Sequence, residues 1–282
     1  MKWIICIVVL VLSLTACSSG PQNGETLSAG EYTYTSYYDV SYGPDPSHKL
    51  DAFLINSDEP APVVIYMHGG GFRAGDKDNI FYKEEMLEQG ISVVSLTYRK
   101  IDEVDNLMEI IEGDFYDAYK FTMQRAEQYN IDPNRVAFMG GSAGGGSSLW
   151  LGTDDRVDVQ AMVHINSQAT YNFFLWEEII GLDLDNLEYL DFDADVQEMY
   201  GGDMSLAQEL DMLAKMDASD PPLYIENFLP VDREPWKQTH ITHHPNHATY
   251  LYDHCVEVGM TCRLEREETS AVEFLVLHLQ NP

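Results

Sequence analysis

The sequence predicts an α/β fold: a mostly parallel sheet of eight strands, with helices on both faces. Three observations carry this. Runs such as Val63–Met67 and Val136–Met139 are wholly apolar, as strands buried on both faces must be. Stretches of helical period separate the strand runs, and parallel strands need such crossovers. Two glycine-rich turns follow directly on two of the runs, His68-Gly-Gly-Gly-Phe72 and Gly140-Gly-Ser142-Ala-Gly144.

The first sixteen residues stand apart from the fold. Met1-Lys2 is a short positive start, and Trp3–Leu14 is an apolar stretch too short to span a bilayer as a helix. Leu14-Thr-Ala-Cys17 resembles the bacterial lipobox. That resemblance implies a signal peptide over residues 1–16, lipidation of Cys17 and a lipid-anchored place in the cell envelope. Residues 17–30, rich in Ser, Gly, Pro and Asn, read as a flexible tether. Residues 31–282 are then one domain, long enough for a large core.

Within that domain, Tyr32–Val40 and Leu50–Ile55 read as a hairpin. The Val63 strand follows. Asn79–Gln89 has helical spacing and stops at Gly90, and Ile91–Leu96 is the next strand. Asp114 reads as the cap of a helix running to Tyr129. The Val136 strand leads into a helix from Ala143 to Leu151, then a strand at Val159–Ile165. Residues 169–216 break the rhythm with an aromatic run, Tyr171 to Trp176, followed by acidic residues. They read as a cap insertion that either lines a pocket or packs its apolar face on the body. Pro221–Ile225 and Thr261–Glu265 are the last two strands, His247–Val258 and Ser270–Leu279 the last two helices.

The glycine turns carry the chemistry. A serine at a sharp strand-to-helix turn holds its hydroxyl above the sheet edge, and its neighbours must be small to let it stand there. Three glycines after a strand allow several N–H groups to converge on one point, a nest suited to an oxyanion. Together the two motifs resemble the α/β-hydrolases of the carboxylesterase/lipase kind. Lys49-Leu-Asp51, Gly75-Asp-Lys77, Leu96-Thr-Tyr-Arg99 and Asn130-Ile-Asp-Pro133 extend the similarity over about Tyr37–Ser148. The resemblance implies Ser142 as nucleophile, Gly70, Gly71 and Ala143 as oxyanion donors, and a small-molecule carboxylic ester as substrate. No cofactor and no metal are expected.

A serine nucleophile needs a base, and the base an orienting acid. The family puts its histidine after the last strand, where this chain reads Arg266-Glu-Glu-Thr-Ser270. Histidines gather earlier instead, at His240, His243, His244 and His247. The expectation is that this cluster supplies the base, with His244 the leading member. Asp232 is the expected acid and Glu226 the second choice. A zinc reading of the cluster is weakened by Pro245, which interrupts any helix presenting all four imidazoles. His68, His164, His254 and His278 read as structural. If no imidazole reaches Ser142, the alternative is a binding lipoprotein that has kept the fold and lost proton transfer.

Charge narrows the partners. The chain carries 47 Asp and Glu against 16 Lys and Arg, a formal net charge of −31. Nucleic acid is excluded on that ground, since phosphate binding needs a basic surface. With Cys17 blocked, Cys255 and Cys262 remain as a pair in an oxidising compartment, either bridged or buried as thiols.

Overall fold

The computed structural model describes residues 24–183, 192–230, 241–265 and 271–280. A nine-stranded sheet runs through it, in the spatial order β1-β2-β3-β5-β4-β6-β7-β8-β9. The strands are β1 Thr26–Ala29, β2 Tyr32–Ser41, β3 Lys49–Ile55, β4 Ala61–Met67, β5 Ser92–Thr97, β6 Ile131–Gly141, β7 Ala161–Ile165, β8 Leu223–Glu226 and β9 Cys262–Glu265. From β5 to β9 every pairing is parallel, whereas β1–β2, β2–β3 and β3–β5 are antiparallel. The expected eight strands are all present. The ninth, β1, lies inside the stretch expected to be a tether. There Thr26–Ala29 pairs with Tyr32–Thr35 through a turn at Gly30, whose φ is 56°. A composition that looks flexible is thus held by ladder bonds to an edge strand.

Period-two alternation divides the apolar residues between two cores. Val63, Ile65 and Met67 of β4 join Val136 and Phe138 of β6 on one face, with Val64, Tyr66, Ala137 and Met139 on the other. The helices, in chain order, are α1 Lys83–Glu88, α2 Tyr116–Met123, α3 Ala126–Tyr129, α4 Ala143–Gly152, α5 Trp176–Ile180, α6 Phe192–Tyr200, α7 Leu206–Glu209, α8 Met212–Lys215, α9 Pro245–Glu257 and α10 Ala271–Gln280. Met86 and Leu87 of α1, with Phe274, Leu275 and Leu279 of α10, close the second face. Ala118 of α2, Leu149 and Leu151 of α4 and Leu251 of α9 close the first, together with α5 to α8 from the expected cap region. Phe138 is fully buried, so truncating it to Ala would cost about 3–5 kcal/mol.

Asp114 does not cap a helix. It lies within a wide π-helical stretch, Glu109–Phe115, that runs into α2. Its buried carboxylate accepts from Arg99 Nη2 at 2.7 Å and lies 3.1 Å from His48 Nε2. The wider turn brings Asp114 to the Arg99 guanidinium and the His48 imidazole, and burying the carboxylate without such partners would be costly. A disulfide joins Cys255 near the end of α9 to Cys262 at the start of β9, with Cα atoms 6.4 Å apart.

Candidate active site

The carboxyl ends of the parallel strands form one edge of the sheet, where ligands bind in folds of this kind. Met67 and Gly140 are register partners in β4 and β6, so the two glycine turns leave the sheet side by side. Ser142 has φ 51° and ψ −124°, a strained backbone for a residue with a side chain. Its surroundings hold it there. The Ser142 N–H donates to Ile165 O at 2.9 Å, while its carbonyl accepts from Gly145 N at 2.9 Å and from the Ser167 hydroxyl. A Cβ on Gly144 would collide with the carbonyl of Met67, and one on Gly140 with the carbonyl of Gly144. Both glycines are therefore required for the turn to pack against β4.

The glycine loop after β4 is braced in a similar way. His68 is buried, stacks on Tyr98 with centroids 4.2 Å apart, and sets Nδ1 2.6 Å from Gly69 O. Burial lowers its pKa, so the ring stays neutral, and the Tyr98 hydroxyl donates to its carbonyl at 2.8 Å. His68 is thus a structural brace, as expected. Gly70, at φ 116°, accepts from both Arg73 N and Ala74 N at 3.0 Å, which closes the turn. The N–H groups of Gly70 and Gly71 donate to no backbone carbonyl among the described residues. Ala143, the third expected donor, begins α4, and its carbonyl is fixed by the hydroxyls of Tyr171 and Ser147.

The imidazole that reaches the serine is His243, with Nε2 2.7 Å from Ser142 Oγ. The histidine cluster after β8 does bring a ring to Ser142, and that ring is His243, not the expected His244. His244 is the N-cap of α9, where its Nδ1 accepts from Asn246 N at 3.1 Å. Its ring is thereby turned into the helix end, and burial lowers its pKa. Asn227, buried at the end of β8, donates to His243 O at 3.2 Å, and Gln168 donates to Thr242 O at 2.6 Å. These two amides fix the loop that carries His243. His247 turns elsewhere again: it is buried, accepts from Ala169 N at 3.3 Å and stands edge-on to Trp176. The three described histidines of the cluster thus have three different partners, an arrangement unlike a shared metal site. His240 and Asp232 lie outside the described residues, as does the Arg266–Ser270 loop. Glu226 is buried, and its Oε1 accepts from the Tyr82 hydroxyl at 2.6 Å.

Two pockets meet at the serine. One is a cleft of 630 Å³ walled by Phe72, Tyr171, Phe173, Trp176, Val196 and Met199. The aromatic run of the cap therefore does both things expected of it. Tyr171, Phe173 and Trp176 face the cleft, while Ile179 and Ile180 pack into the core. The other pocket, of 330 Å³, has Asp76, Asn79 and Asn166 in its lining. Ser142, Gly70 and His243 line both. A third cavity, bordered by Tyr37, Asn56 and Tyr129 at the opposite end of the strands, is far from this chemistry.

Sheet order, the strained serine turn and the glycine loop define an α/β-hydrolase with a carboxylesterase-like fold. More narrowly, the BD-FAE family model matches residues 50–226, and the chain belongs to that family. Among curated proteins it is 29% identical over 123 residues to a probable isoprenylcysteine alpha-carbonyl methylesterase of Arabidopsis thaliana, covering 42% of this chain and 25% of that protein. It is 28% identical over 145 residues to esterase B1 of Culex pipiens, covering 46% and 26%. The chain thus spans about a quarter of the length of these relatives. Esterase B of Lactobacillus rhamnosis superposes with a TM-score of 0.64 at 17% identity, over 82% of this chain and 75% of that one. A bacterial heroin esterase does so at 0.61 and 18%, over 90% and 84%. At such identities these two likenesses speak for the fold.

Proposed function

We propose that this protein is a carboxylic ester hydrolase working through an acyl-enzyme on Ser142, with His243 as general base. The 2.7 Å approach of His243 Nε2 to Ser142 Oγ carries the proposal. A chain that had lost proton transfer would have no reason to hold an imidazole there. The relatives named above are esterases, which supports the reaction class.

In this reading Ser142 Oγ attacks the ester carbonyl carbon while His243 Nε2 takes its proton. The tetrahedral oxyanion is held by the N–H groups of Gly70, Gly71 and Ala143. Collapse breaks the carbon–oxygen bond to the alcohol, which leaves with the proton from His243. Water then attacks the acyl-enzyme, giving its proton to His243, and the acid departs as Ser142 is restored. Asp232 is our assignment for the acid that orients His243, on chain order alone.

The carbonyl carbon has an acyl group on one side and an alcohol on the other, so two pockets meeting at Ser142 suit an ester's two halves. The larger, aromatic-walled cleft suits a bulky apolar group, and the smaller pocket a more compact one. We further propose that Cys17 is lipidated, placing the enzyme at the cell envelope. Cys17→Ser should release the protein from membranes, and unchanged partitioning with no lipid adduct in mass spectrometry would refute the anchor.

The activity test is turnover of a short-chain aryl ester by the native protein and by Ser142→Ala. A loss of about four or more orders of magnitude in kcat/KM is expected. Equal turnover in both, or none by the native protein on any short aryl ester, refutes the proposal.

A further inference from the structure

Asn166 leaves the sheet beside Ser142. Gly141 and Ile165 are register partners in β6 and β7, and the Ser142 N–H donates to Ile165 O at 2.9 Å, so Asn166 is the next residue out along β7. Its φ is 43°, in the left-handed region. Two bonds to the chain at and just past the end of β8 hold it there. Its N–H donates to Glu226 O at 2.7 Å, and its side-chain Oδ1 accepts from Phe228 N at 3.2 Å. Asn166 is half-buried and lines the 330 Å³ pocket with Ser142, Tyr66, Phe81 and Leu229. Its Nδ2 has no hydrogen-bond acceptor among the described residues. We infer that Asn166 determines specificity in this pocket: its amide NH2 reads an ether, hydroxyl or carbonyl oxygen on the half of the ester that enters. The inference rests on Ser142 being the nucleophile.

The bond to Phe228 decides which way the amide faces. A backbone N–H can only donate, so it takes the amide oxygen, and the NH2 end is left over. Holding the loop needs that oxygen alone. Aspartate would supply it, and aspartate tolerates a left-handed backbone as asparagine does. What asparagine adds is the NH2 group, which donates and cannot accept. It therefore suits an oxygen and gives nothing to a methylene. Asp76, in the same lining, is an acceptor and already takes bonds from the Thr97 hydroxyl at 2.9 Å and from Lys77 N at 2.7 Å. Among the walls of Tyr66, Phe81 and Leu229, a donor of fixed direction orients whatever enters. An ester with an oxygen in its compact half gains a hydrogen bond there. The all-carbon counterpart strips water from the NH2 group and returns nothing.

The test uses two pairs of esters in which an ether oxygen replaces one methylene of the compact half. Phenyl methoxyacetate against phenyl butyrate places the oxygen in the acyl half, and 2-methoxyethyl phenylacetate against butyl phenylacetate places it in the alcohol half. Asn166→Asp keeps the acceptor for Phe228 N and loses the donor. Asn166→Gly loses the donor without adding charge, and suits the positive φ. The ratio of kcat/KM, ether ester over all-carbon ester, is compared with that of the native protein, which cancels the intrinsic reactivity of each ester. In at least one pair it should fall by about fivefold in both variants. A ratio unchanged in both pairs overturns the inference. So does a fall in only one of the two variants, which would trace to the added charge or to the loosened loop. Calorimetric binding of the same esters to Ser142→Ala, with and without each Asn166 change, gives the comparison free of turnover. A binding ratio that shifts while the native protein hydrolyses none of the four esters would count against the catalytic reading alone. Neither turnover nor a shift in binding overturns both.

Discussion

His243 and His244 are adjacent in sequence and opposite in expected consequence. His243→Ala removes the only described imidazole within hydrogen-bond reach of Ser142 Oγ, a contact of 2.7 Å. Nucleophile and base act as a unit, so kcat should fall about 10⁴- to 10⁶-fold, or roughly 5.5–8 kcal/mol of transition-state stabilisation. The fold should tolerate the change, because the ring is only half-buried and a side-chain hydrogen bond is worth about 1 kcal/mol. His244→Ala deletes instead the acceptor that caps Asn246 N at the start of α9. Cap loss costs about 1 kcal/mol of stability and should lower Tm by about 2–4 °C, with kcat within a few-fold of native. The assay is steady-state hydrolysis of an aryl butyrate, with far-UV circular dichroism and a denaturant midpoint on each variant. A folded His243→Ala that keeps more than a tenth of native kcat/KM would refute the reasoning. So would a His244→Ala variant that loses as much activity as His243→Ala with its midpoint unchanged.

Other expectations follow from the same geometry. Gly70→Ala should cut kcat/KM by about 100-fold or more, because its Cβ would strike the Ala74 carbonyl at φ 116°; Gly71→Ala, at φ 61° with open space around its Cβ, should cost only about 1–2 kcal/mol of strain. Stability should fall below neutral pH. Burial lowers the pKa of His164 to about 4 and of His247 to about 3 from 6.5, so between those values the unfolded chain binds protons that the folded one does not. Their contribution is complete above pH 6.5 and should shrink by about 2 kcal/mol per group by pH 5, as urea midpoints at the two pH values would reveal. A His164→Gln/His247→Gln variant with an equally steep pH dependence would count against that origin. Reducing the Cys255–Cys262 disulfide, which closes a separation of 7 residues, should lower stability by about 2.5 kcal/mol, measured as the change in denaturant midpoint with and without reductant.

Much of this molecule could be read from the chain because the decisive constraints are local. Ser142 needs small neighbours within two residues, and Gly140 and Gly144 meet backbone carbonyls that no other residue could approach. The same holds for Gly70, and for the apolar runs that become β4 and β6. Cys255 and Cys262 were evident as a pair, though whether they join depends on where α9 meets β9. The imidazole that meets Ser142 was another matter. His243 lies 101 residues from Ser142, and nothing in the sequence ranks it above His244. A difference of one residue reverses which ring faces the serine. That choice is made by Pro245 starting a helix, by His244 turning back to cap it, and by Asn227 and Gln168 holding the carbonyls of His243 and Thr242. The strand β1 was hidden for a related reason, since polar residues pair as a strand only when an edge is present to receive them. Sequence determined the serine turn, the glycine loop and the sheet, where strain and sterics act between neighbours. Tertiary structure decided which imidazole meets Ser142 and the walls of the cleft, because these depend on how distant loops cross the carboxyl edge of that sheet.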